Sequence, residues 1–270
     1  MTLYSFRQFL RFYGAAVTKY QLHSPFVYEL ATSVLEDYRW FYAFEDIELL
    51  RQTALHSEVL LNVTDYGTGG AVSNRYTATV RQIARRSSSS PGQGQALFRL
   101  ANWAQPKTLL ELGTSLGFGT LYLAAAARAA RICSLEGCAD CAATARTHFE
   151  MLKARQVEVL EGSFEATLPT ALKKLQPLDF VFFDGNHRTE PTLRYFEQCL
   201  GSAHEKTVFV FDDAHSSPQM EAAWLRIQQH PRTTLTVDFF DLSLAFINPD
   251  FKEKQHLRVI RSKWKPWMFF

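Results

Sequence analysis

Two uninterrupted apolar runs, residues 180–183 (Phe-Val-Phe-Phe) and 208–211 (Val-Phe-Val-Phe), constrain the fold more than any other feature of the sequence. Such runs are typical of central strands that helices cover on both faces of a sheet. Around them the pattern predicts strands at 108–112, 132–135 and 157–160, helices at 95–103, 122–130, 139–153, 189–200 and 217–229, and a terminal hairpin of strands at 235–240 and 242–247. This alternation predicts an α/β fold with a doubly wound, mostly parallel sheet.

Residues 1–56 are dense in aromatic side chains and helix formers. Apolar residues recur there at steps of three and four, as at Phe6, Phe9 and Tyr13, which predicts helices with one buried stripe. Ser24 and Pro25 offer a helix N-cap followed by proline at the first helical position. A turn signal at 65–70 and a linker-like stretch at 85–92 follow. We therefore expect a helical N-terminal cap or lid with its linker over residues 1–90, and a second domain over 91–270. Whether the N-terminal segment only covers the core or closes over a substrate pocket stays open.

The charge balance excludes a strongly basic nucleic-acid binder, because 29 Lys and Arg residues are matched by 27 Asp and Glu residues, for a net charge of +2. No apolar run approaches the roughly 18 residues of a membrane-spanning helix, and Arg7 and Arg11 interrupt the apolar N-terminus, unlike in a signal peptide. We expect a cytoplasmic protein without nucleic-acid or membrane partners. Four cysteines are too few for a disulfide framework. Cys138 and Cys141 have CxxC spacing, for which a zinc or redox role and a plain helical role both stay open.

The residues that follow each strand are the candidates for a site, because ligands in such sheets bind beyond the carboxyl ends of the strands. After the first strand come Glu111 and three glycines (Gly113, Gly117 and Gly119), which let the backbone turn tightly and approach a ligand. The acid and the N-terminus of the next helix can hold opposite charges of one ligand. The second strand ends at Glu136, where a carboxylate can accept hydrogen bonds from both hydroxyls of a ribose.

These residues resemble the motifs of the class I S-adenosylmethionine-dependent methyltransferases. Glu111-x-Gly113-x-x-x-Gly117 is similar to their first motif, and Glu136 is similar to their ribose-binding acid. Residues 159–165 and the Leu168-Pro169 pair resemble the adenine-side motif, and Gly94-Gln95 resembles the Gly-Gln pair of catechol and caffeoyl-coenzyme-A O-methyltransferases. The resemblance covers about residues 91–250. It implies a Rossmann-like methyltransferase fold that binds S-adenosylmethionine through Glu111, Gly113, Thr114, Ser115, Gly117, Phe118, Glu136, Gly137, Ser163, Phe164 and Asp184. A domain of this fold that has lost cofactor binding is the alternative.

Acidic groups also follow the next two strands, as Asp184-Gly-Asn-His187 and Asp212-Asp213-Ala-His215. In this fold those strands are neighbours about 4.8 Å apart, so Asp184 and Asp212 would repel one another unless a cation lay between them. Carboxylates suit a hard ion such as Mg²⁺. The alternative is that each aspartate only caps the helix that follows it. The pattern resembles the metal-dependent O-methyltransferases of the catechol and macrocin types, which implies that Asp184, Asp212 and Asp213 bind a divalent metal ion.

His187 departs from the catechol type, which carries lysine at that position. An imidazole can take a proton near neutral pH, so we assign catalytic roles to His187, as general base, and to Asp184; a solvent-facing histidine at a helix start is the alternative. The resemblance implies metal-assisted methyl transfer from S-adenosylmethionine to a hydroxyl of a small molecule, such as a phenol, catechol or sugar. A non-catalytic interaction module that acts through the aromatic N-terminal helices, or an N-methyltransferase or hydrolase on the same scaffold, would be the alternatives. The N-terminal helices are also candidates for a homodimer contact.

Overall fold

The structure is a computed structural model, and it describes residues 2–66, 74–86 and 89–269. Over these residues the helices are α1 (Leu3–Ala15), α2 (Pro25–Val34), α3 (Tyr42–Leu55), α4 (Val80–Arg86), α5 (Pro91–Ala104), α6 (Phe118–Ala126), α7 (Ala139–Met151), α8 (Phe164–Leu175), α9 (Thr189–Leu200) and α10 (Pro218–Gln229). The strands are β1 (Leu60–Asp65), β2 (Asn74–Thr79), β3 (Thr108–Leu112), β4 (Arg131–Glu136), β5 (Val157–Glu161), β6 (Leu178–Phe183), β7 (Ala203–Asp212), β8 (Leu235–Asp238), β9 (Leu242–Phe246) and β10 (Gln255–Arg258). Short 3-10 turns lie at Lys19–Gln21, Ser262–Trp264 and Pro266–Phe269.

A sheet of eight strands forms the centre of the described chain, in the order β10-β8-β9-β7-β6-β3-β4-β5. Neighbouring strands are parallel except at β9, which runs antiparallel to both β7 and β8. The apolar runs of β6 and β7 are buried on both faces: Phe180 and Phe182 belong to one hydrophobic cluster, and Val181 and Phe183 belong to the other. The predicted doubly wound α/β fold and the terminal hairpin, which is β8 and β9, are confirmed.

Several elements were not predicted from the sequence, and for four of them the residues show why. The strands β1 and β2 pair as an antiparallel hairpin, but β2 is largely exposed and polar, so no apolar alternation marks it. The edge strand β10 is likewise exposed and polar. Helix α8 carries Pro169 in its interior, which obscures the helical pattern. Polar edge elements are therefore the part of this fold that hydrophobic periodicity does not reveal.

Two helix starts also differ from the sequence prediction, and local capping explains both. Helix α6 begins at residue 118 rather than 122, because Gly117 adopts the left-handed conformation (φ 83°) and starts the helix directly after the glycine-rich turn. Helix α5 begins at residue 91 rather than 95, because Ser90 and Gln93 form a reciprocal capping box. The predicted linker at 85–92 therefore overlaps the end of α4 and the start of α5, and its residues 87 and 88 lie outside the described residues. Of the predicted turn at 65–70, residues 67–70 lie outside them as well.

The N-terminal helices share their core with the sheet. Leu30 and Phe44 are fully buried in the same cluster as Leu97 of α5 and Phe180 of β6. The Phe26 ring packs edge-on against Trp103, Phe246 and Phe251, with centroids 5.2–5.4 Å apart. The predicted domain boundary at residue 90 stays a prediction, because one hydrophobic cluster contains buried residues from both sides of it. Within the ranges that the structure describes, no helix is both long and apolar enough to cross a membrane.

Candidate active site

A cleft of about 1640 Å³ opens at the carboxyl edge of the sheet. Ligand sites of small molecules typically occupy about 300–1,000 Å³, so this volume has room for a cofactor together with an acceptor. Most of the residues predicted from the sequence line it or the recess at its base: Glu111, Gly113, Thr114, Ser115, Phe118, Glu136, Gly137, Ser163, Phe164, Asp184, His187, Asp212 and Asp213. Gly117 lies outside these linings.

The glycine-rich turn after β3 needs glycine at two positions. Gly113 has φ 109°, and a Cβ there would lie 2.2 Å from the carbonyl oxygen of Asp184. Gly117 has φ 83°, and a Cβ there would lie 2.6 Å from the Phe149 ring. L-residues rarely adopt these angles. Gly113 therefore lets β3 and the loop after β6 approach closely at the cleft. Gly117 lets α6 start next to the Phe149 ring, on the side away from the cleft lining.

Glu136 ends β4 with its carboxylate held at the cleft by two backbone groups. Its Oε2 accepts a hydrogen bond from the Ser115 N–H (2.7 Å), and its Oε1 accepts one from the Cys138 N–H (2.8 Å). Burial raises the pKa of Glu136 to about 7, against the lowering effect of these hydrogen bonds. Each carboxylate oxygen has two lone pairs, so each can accept one further hydrogen bond. The geometry fits the predicted capture of two ribose hydroxyls.

Glu111 is buried beneath the glycine-rich turn. Its Oε2 accepts hydrogen bonds from the hydroxyls of Thr120 and Ser134, neither of which was predicted as a site residue. Burial raises the pKa of Glu111 to about 7 in spite of these two donors. The recess that it lines also contains Ser89 and Asp184. Glu111 is therefore a fixed acid at the base of the cleft, where it can face a positively charged group of a ligand.

Asp184 and Asp212 meet at the ends of β6 and β7, as predicted. Their carboxyl groups hydrogen-bond to one another, and burial together with mutual repulsion raises the pKa of Asp184 well above its ordinary value. Burial and the charge of Asp213 raise the pKa of Asp212 as well. Asp212 is buried and Asp184 is partly buried, and hard carboxylate oxygens are the ligands that Mg²⁺ takes in proteins. This pair therefore fits a divalent cation.

Asp213 is placed differently from the other two predicted ligands. Its side chain is exposed, its backbone is left-handed (φ 54°), and its N–H donates to Asp212 Oδ1 at 2.9 Å. Across the described ranges, no group of three or more His, Cys, Asp or Glu side chains is arranged to hold a metal ion. The metal site, with Asp213 as a third ligand, therefore stays a prediction.

His187 lines the same cleft, two residues before α9 begins. Burial lowers the pKa of His187, while the charges of Asp213 and Asp65 act in the opposite direction. The side chain is partly buried, unlike a solvent-facing histidine at a helix start. A neutral imidazole at this position can accept a proton from a ligand in the cleft.

Comparisons with known proteins agree with this geometry. Residues 110–214 match the family model described as a methyltransferase domain. A catechol O-methyltransferase of Mycobacterium tuberculosis is 31% identical over 158 residues, which are 58% of this chain and 70% of that protein. The chain belongs to the class I S-adenosylmethionine-dependent O-methyltransferase family. A catechol O-methyltransferase of Niastella koreensis is 32% identical over 129 residues, or 47% of this chain and 58% of that protein, so the match spans less than two thirds of that relative.

The fold of this O-methyltransferase is shared with solved structures. An O-methyltransferase from Bacillus cereus in complex with SAH superposes with a TM-score of 0.56 at 20% identity, over 82% of this chain and 97% of that one. That similarity supports the architecture of the sheet and its helices. The residues of the cleft are assigned from this chain's own geometry.

Gln93 is a residue that the sequence prediction missed, and it contacts the Asp184–Asp212 pair of this methyltransferase. The Gln93 side-chain amide donates to Asp212 Oδ1, while its Oε1 accepts from the Ser90 N–H as part of the capping box of α5. The S-x-x-Q capping pattern could have drawn attention to Gln93. The resemblance to O-methyltransferases pointed to Gly94 and Gln95 instead. Gly94 serves packing, since a Cβ there would lie 2.3 Å from the Tyr122 ring.

The hairpin β1–β2 is the second feature of the methyltransferase cleft that the sequence did not reveal. Tyr66 and Tyr76 line the cleft, and the Tyr66 ring lies so close to Gly137 that a Cβ on Gly137 would be 2.5 Å from it. The hairpin is fixed to α7, because the Asn62 N–H donates to Asp140 Oδ2 at 2.7 Å. It thus walls the cleft beside Glu136.

Proposed function

We propose that this enzyme transfers a methyl group from S-adenosylmethionine to a hydroxyl oxygen of a small aromatic molecule, with Mg²⁺ bound by Asp184 and Asp212. The observation that carries the proposal is the contact of these two carboxyl groups in the cleft that Glu136 lines, above the recess that holds Glu111. Two relatives that carry the name catechol O-methyltransferase make a catechol the first acceptor to test.

Each residue of the cleft has a separate task in this proposal. Glu136 would accept hydrogen bonds from the ribose hydroxyls, and Glu111 would face the amino group of the methionine part. Gln93 would hold Asp212 in place by its amide hydrogen bond. When bound, Mg²⁺ would lower the pKa of the acceptor hydroxyl and orient its oxygen. S-adenosylmethionine carries the methyl group on a sulfonium, which makes it transferable.

His187 would take the proton of the acceptor hydroxyl. An un-ionised hydroxyl is a weak nucleophile, so removal of its proton is the step that a base can accelerate, typically by about 10²–10⁴-fold. The lowered pKa of His187 keeps its imidazole neutral, and hence able to accept a proton, near neutral pH. Tyr66 and Tyr76, which line the cleft, would cover one side of the bound ligands.

The test is a turnover assay with catechol and a panel of phenols, sugars and amines, in EDTA and after Mg²⁺ add-back. We expect turnover to stop in EDTA and to return with Mg²⁺. Asp212→Asn should lose Mg²⁺-dependent turnover, whereas Asp250→Asn, an exposed aspartate far from the cleft, should retain it. Full turnover in EDTA would refute the metal role, and methylation of amines alone would favour an N-methyltransferase.

The role of His187 needs its own comparison. His187→Ala should lower turnover by about 10²–10⁴-fold and leave the affinity for S-adenosylmethionine unchanged in calorimetry. His256→Ala, on the exposed strand β10, is the matched control. A wild-type rate for His187→Ala between about pH 6 and about pH 9 would remove the base from the proposal. Cofactor binding without turnover of any acceptor would indicate an interaction module.

A further inference from the structure

The CxxC pair is a motif that the proposed function leaves unused. Cys138 is the N-cap of α7, Cys141 is the third residue of that helix, and both are free thiols in the wall of the cleft, with exposed fractions of only 2% and 4%. The Cys138 N–H donates to Glu136 Oε1 at 2.8 Å. The pair therefore adjoins the acid that we assign to the ribose.

The sulfur of Cys138 lies among hydrogen-bond donors. It accepts from the Cys141 N–H at 3.4 Å, from the Cys141 thiol, and from the backbone N–H groups of Thr64 and Asp140. While protonated, the Cys138 thiol also donates to the Asn62 carbonyl oxygen at 3.5 Å. Cysteine is not among the preferred N-cap residues, and a neutral thiol is a weak acceptor. The N-terminus of a helix favours negative charge, so these donors can stabilise the Cys138 thiolate once the thiol gives up its hydrogen bond to Asn62.

The two thiols differ in the way that disulfide exchange requires. The hydrogen bond from the Cys141 thiol, aided by the backbone donors and opposed by burial, lowers the pKa of Cys138 to about 6. The same contact and burial raise the pKa of Cys141. In contrast, burial raises the pKa of Cys133 to about 11 and also raises that of Cys199. Cys138 is thus the nucleophile of the set, and Cys141 lies in contact with it.

A zinc site is the competing use of a CxxC pair, and it requires further ligands. Structural zinc is held by four cysteine or histidine side chains. As far as the structure describes the chain, no group of three or more potential ligands is arranged around a metal position. The surroundings therefore favour thiol chemistry over zinc binding.

We infer that Cys138 and Cys141 form a reversible dithiol–disulfide couple in the wall of the cofactor cleft, which exchanges with low-molecular-weight disulfides such as glutathione disulfide. The Cys138 thiolate attacks one sulfur of the glutathione disulfide, forms a mixed disulfide and releases one glutathione thiolate. Cys141 then loses its proton and attacks the Cys138 sulfur, which expels the second glutathione thiolate. Two protein thiols are oxidised to one disulfide, and one glutathione disulfide is reduced to two glutathione molecules.

Oxidation of the cysteine pair should also weaken the binding of the cofactor. This part of the inference rests on the proposed function. A disulfide would take the Cys138 sulfur away from the Thr64 N–H of β1 and would displace the turn whose N–H holds Glu136. We expect S-adenosylmethionine to bind the oxidised protein at least fivefold more weakly than the reduced protein.

The experiment counts thiols in the full-length protein after incubation with glutathione disulfide, and then maps the peptides by mass spectrometry. We expect two of the four thiols to disappear and residues 138–141 to lose the mass of two hydrogen atoms. Cys199→Ala, the matched control, should behave in the same way. Cys141→Ala should stop at a mixed disulfide of glutathione with Cys138. Cys138→Ser, which keeps a good N-cap, should form no internal disulfide.

Each result bears on one part of the inference. Four remaining thiols in the wild-type protein, under conditions that oxidise dithiothreitol, would overturn the couple, as would a disulfide mapped to Cys133 or Cys199. Failure of the reduced protein to bind S-adenosylmethionine in calorimetry would count against the proposed function alone. Equal affinity of the reduced and oxidised forms would refute the link between the couple and the cofactor.

Discussion

At the scale of single residues, Glu136 is the carboxylate on which cofactor binding should depend most. A hydrogen bond to a charged group contributes about 1.5–3 kcal/mol, so Glu136→Ala should weaken S-adenosylmethionine binding at least tenfold. Glu161 is its register partner at the end of β5 and is exposed, so Glu161→Ala is a matched control that should bind normally. Calorimetry measures both affinities. Unchanged affinity in Glu136→Ala would remove the ribose assignment, and tighter binding of NAD would argue against the cofactor itself.

Glu111 should make stability depend on pH in a defined direction. Its pKa is raised from 4.5 to about 7 by burial, so the folded state holds the proton more tightly than the unfolded chain. The free energy of unfolding should therefore fall as pH rises through that interval, by roughly 3 kcal/mol at most. Glu111→Gln should flatten this part of the profile, and Glu205→Gln, an exposed control, should not. Urea unfolding between about pH 5 and about pH 8 measures the free energy of unfolding at each pH. Parallel plots of this free energy against pH for the wild type and Glu111→Gln would contradict the expectation.

The residues of the cleft could be predicted where they follow strands, because the carboxyl ends of parallel strands share one edge. Glu111, Glu136, Asp184 and Asp212 were found in this way and do line the cleft. Gln93 could not be found by this rule, since it reaches Asp212 from the start of a helix that is remote in sequence. Thr120 and Ser134 also carry no pattern of their own, because their hydrogen bonds to Glu111 arise only when the elements pack.

At the scale of elements, the capping box of α5 links helix stability to the site. Ser90→Ala should lower the free energy of unfolding by about 1 kcal/mol, the usual cost of a lost N-cap. It should also lower turnover severalfold, because the Gln93 N–H would lose its acceptor, Ser90 Oγ, and the first turn that carries Gln93 to Asp212 would be less firmly fixed; the Ser90 N–H can still donate to Gln93 Oε1. Ser24→Ala removes the equivalent cap of α2, away from the cleft. Denaturant unfolding and steady-state assays on the two variants should show equal losses of stability but a loss of turnover for Ser90→Ala alone. Equal turnover would contradict the link.

Elements with an apolar pattern were predicted, and polar elements were not. Helix α9 was predicted with both of its observed ends, because its apolar residues recur with helical spacing. The hairpin β1–β2 owes its position to contacts with α7, including the hydrogen bonds from Asn62 to Asp140, and not to its own hydrophobicity. Tertiary contacts therefore set the position of this hairpin, which the local hydrophobic periodicity of the sequence does not predict.

At the scale of the whole molecule, the N-terminal helices should be required for a soluble fold. Truncation before Pro91 would expose the apolar face of α5 that they cover and should cause aggregation. A point-mutant pair tests the same contact: Leu30→Ala, fully buried, should cost about 2–5 kcal/mol, while Leu49→Ala, 71% exposed, should change stability by less than about 0.5 kcal/mol. Denaturant unfolding gives both values. A truncated protein that stays soluble, monomeric and active would show the segment to be dispensable.

The outer face of α1 is where we expect the predicted homodimer contact. Leu3, Phe6 and Leu10 are exposed there at helical spacing. Exposed apolar patches of this kind mark interaction sites. Light scattering should give twice the mass of one chain for the wild type and the mass of a single chain for Phe6→Asp. A wild-type monomer at high concentration would contradict the dimer.

The contacts between the first and the last segments of the chain also order events during synthesis. Val17 pairs with Val259, and the Tyr13 hydroxyl donates to the Trp264 carbonyl oxygen at 2.7 Å. A ribosome adds about 5–20 residues per second, so the N-terminal aromatic residues wait tens of seconds for these partners to be made. During that time they must stay accessible to chaperones or to other nascent chains. Helix α1 of this protein acquires its final contacts only when the last strand has been translated.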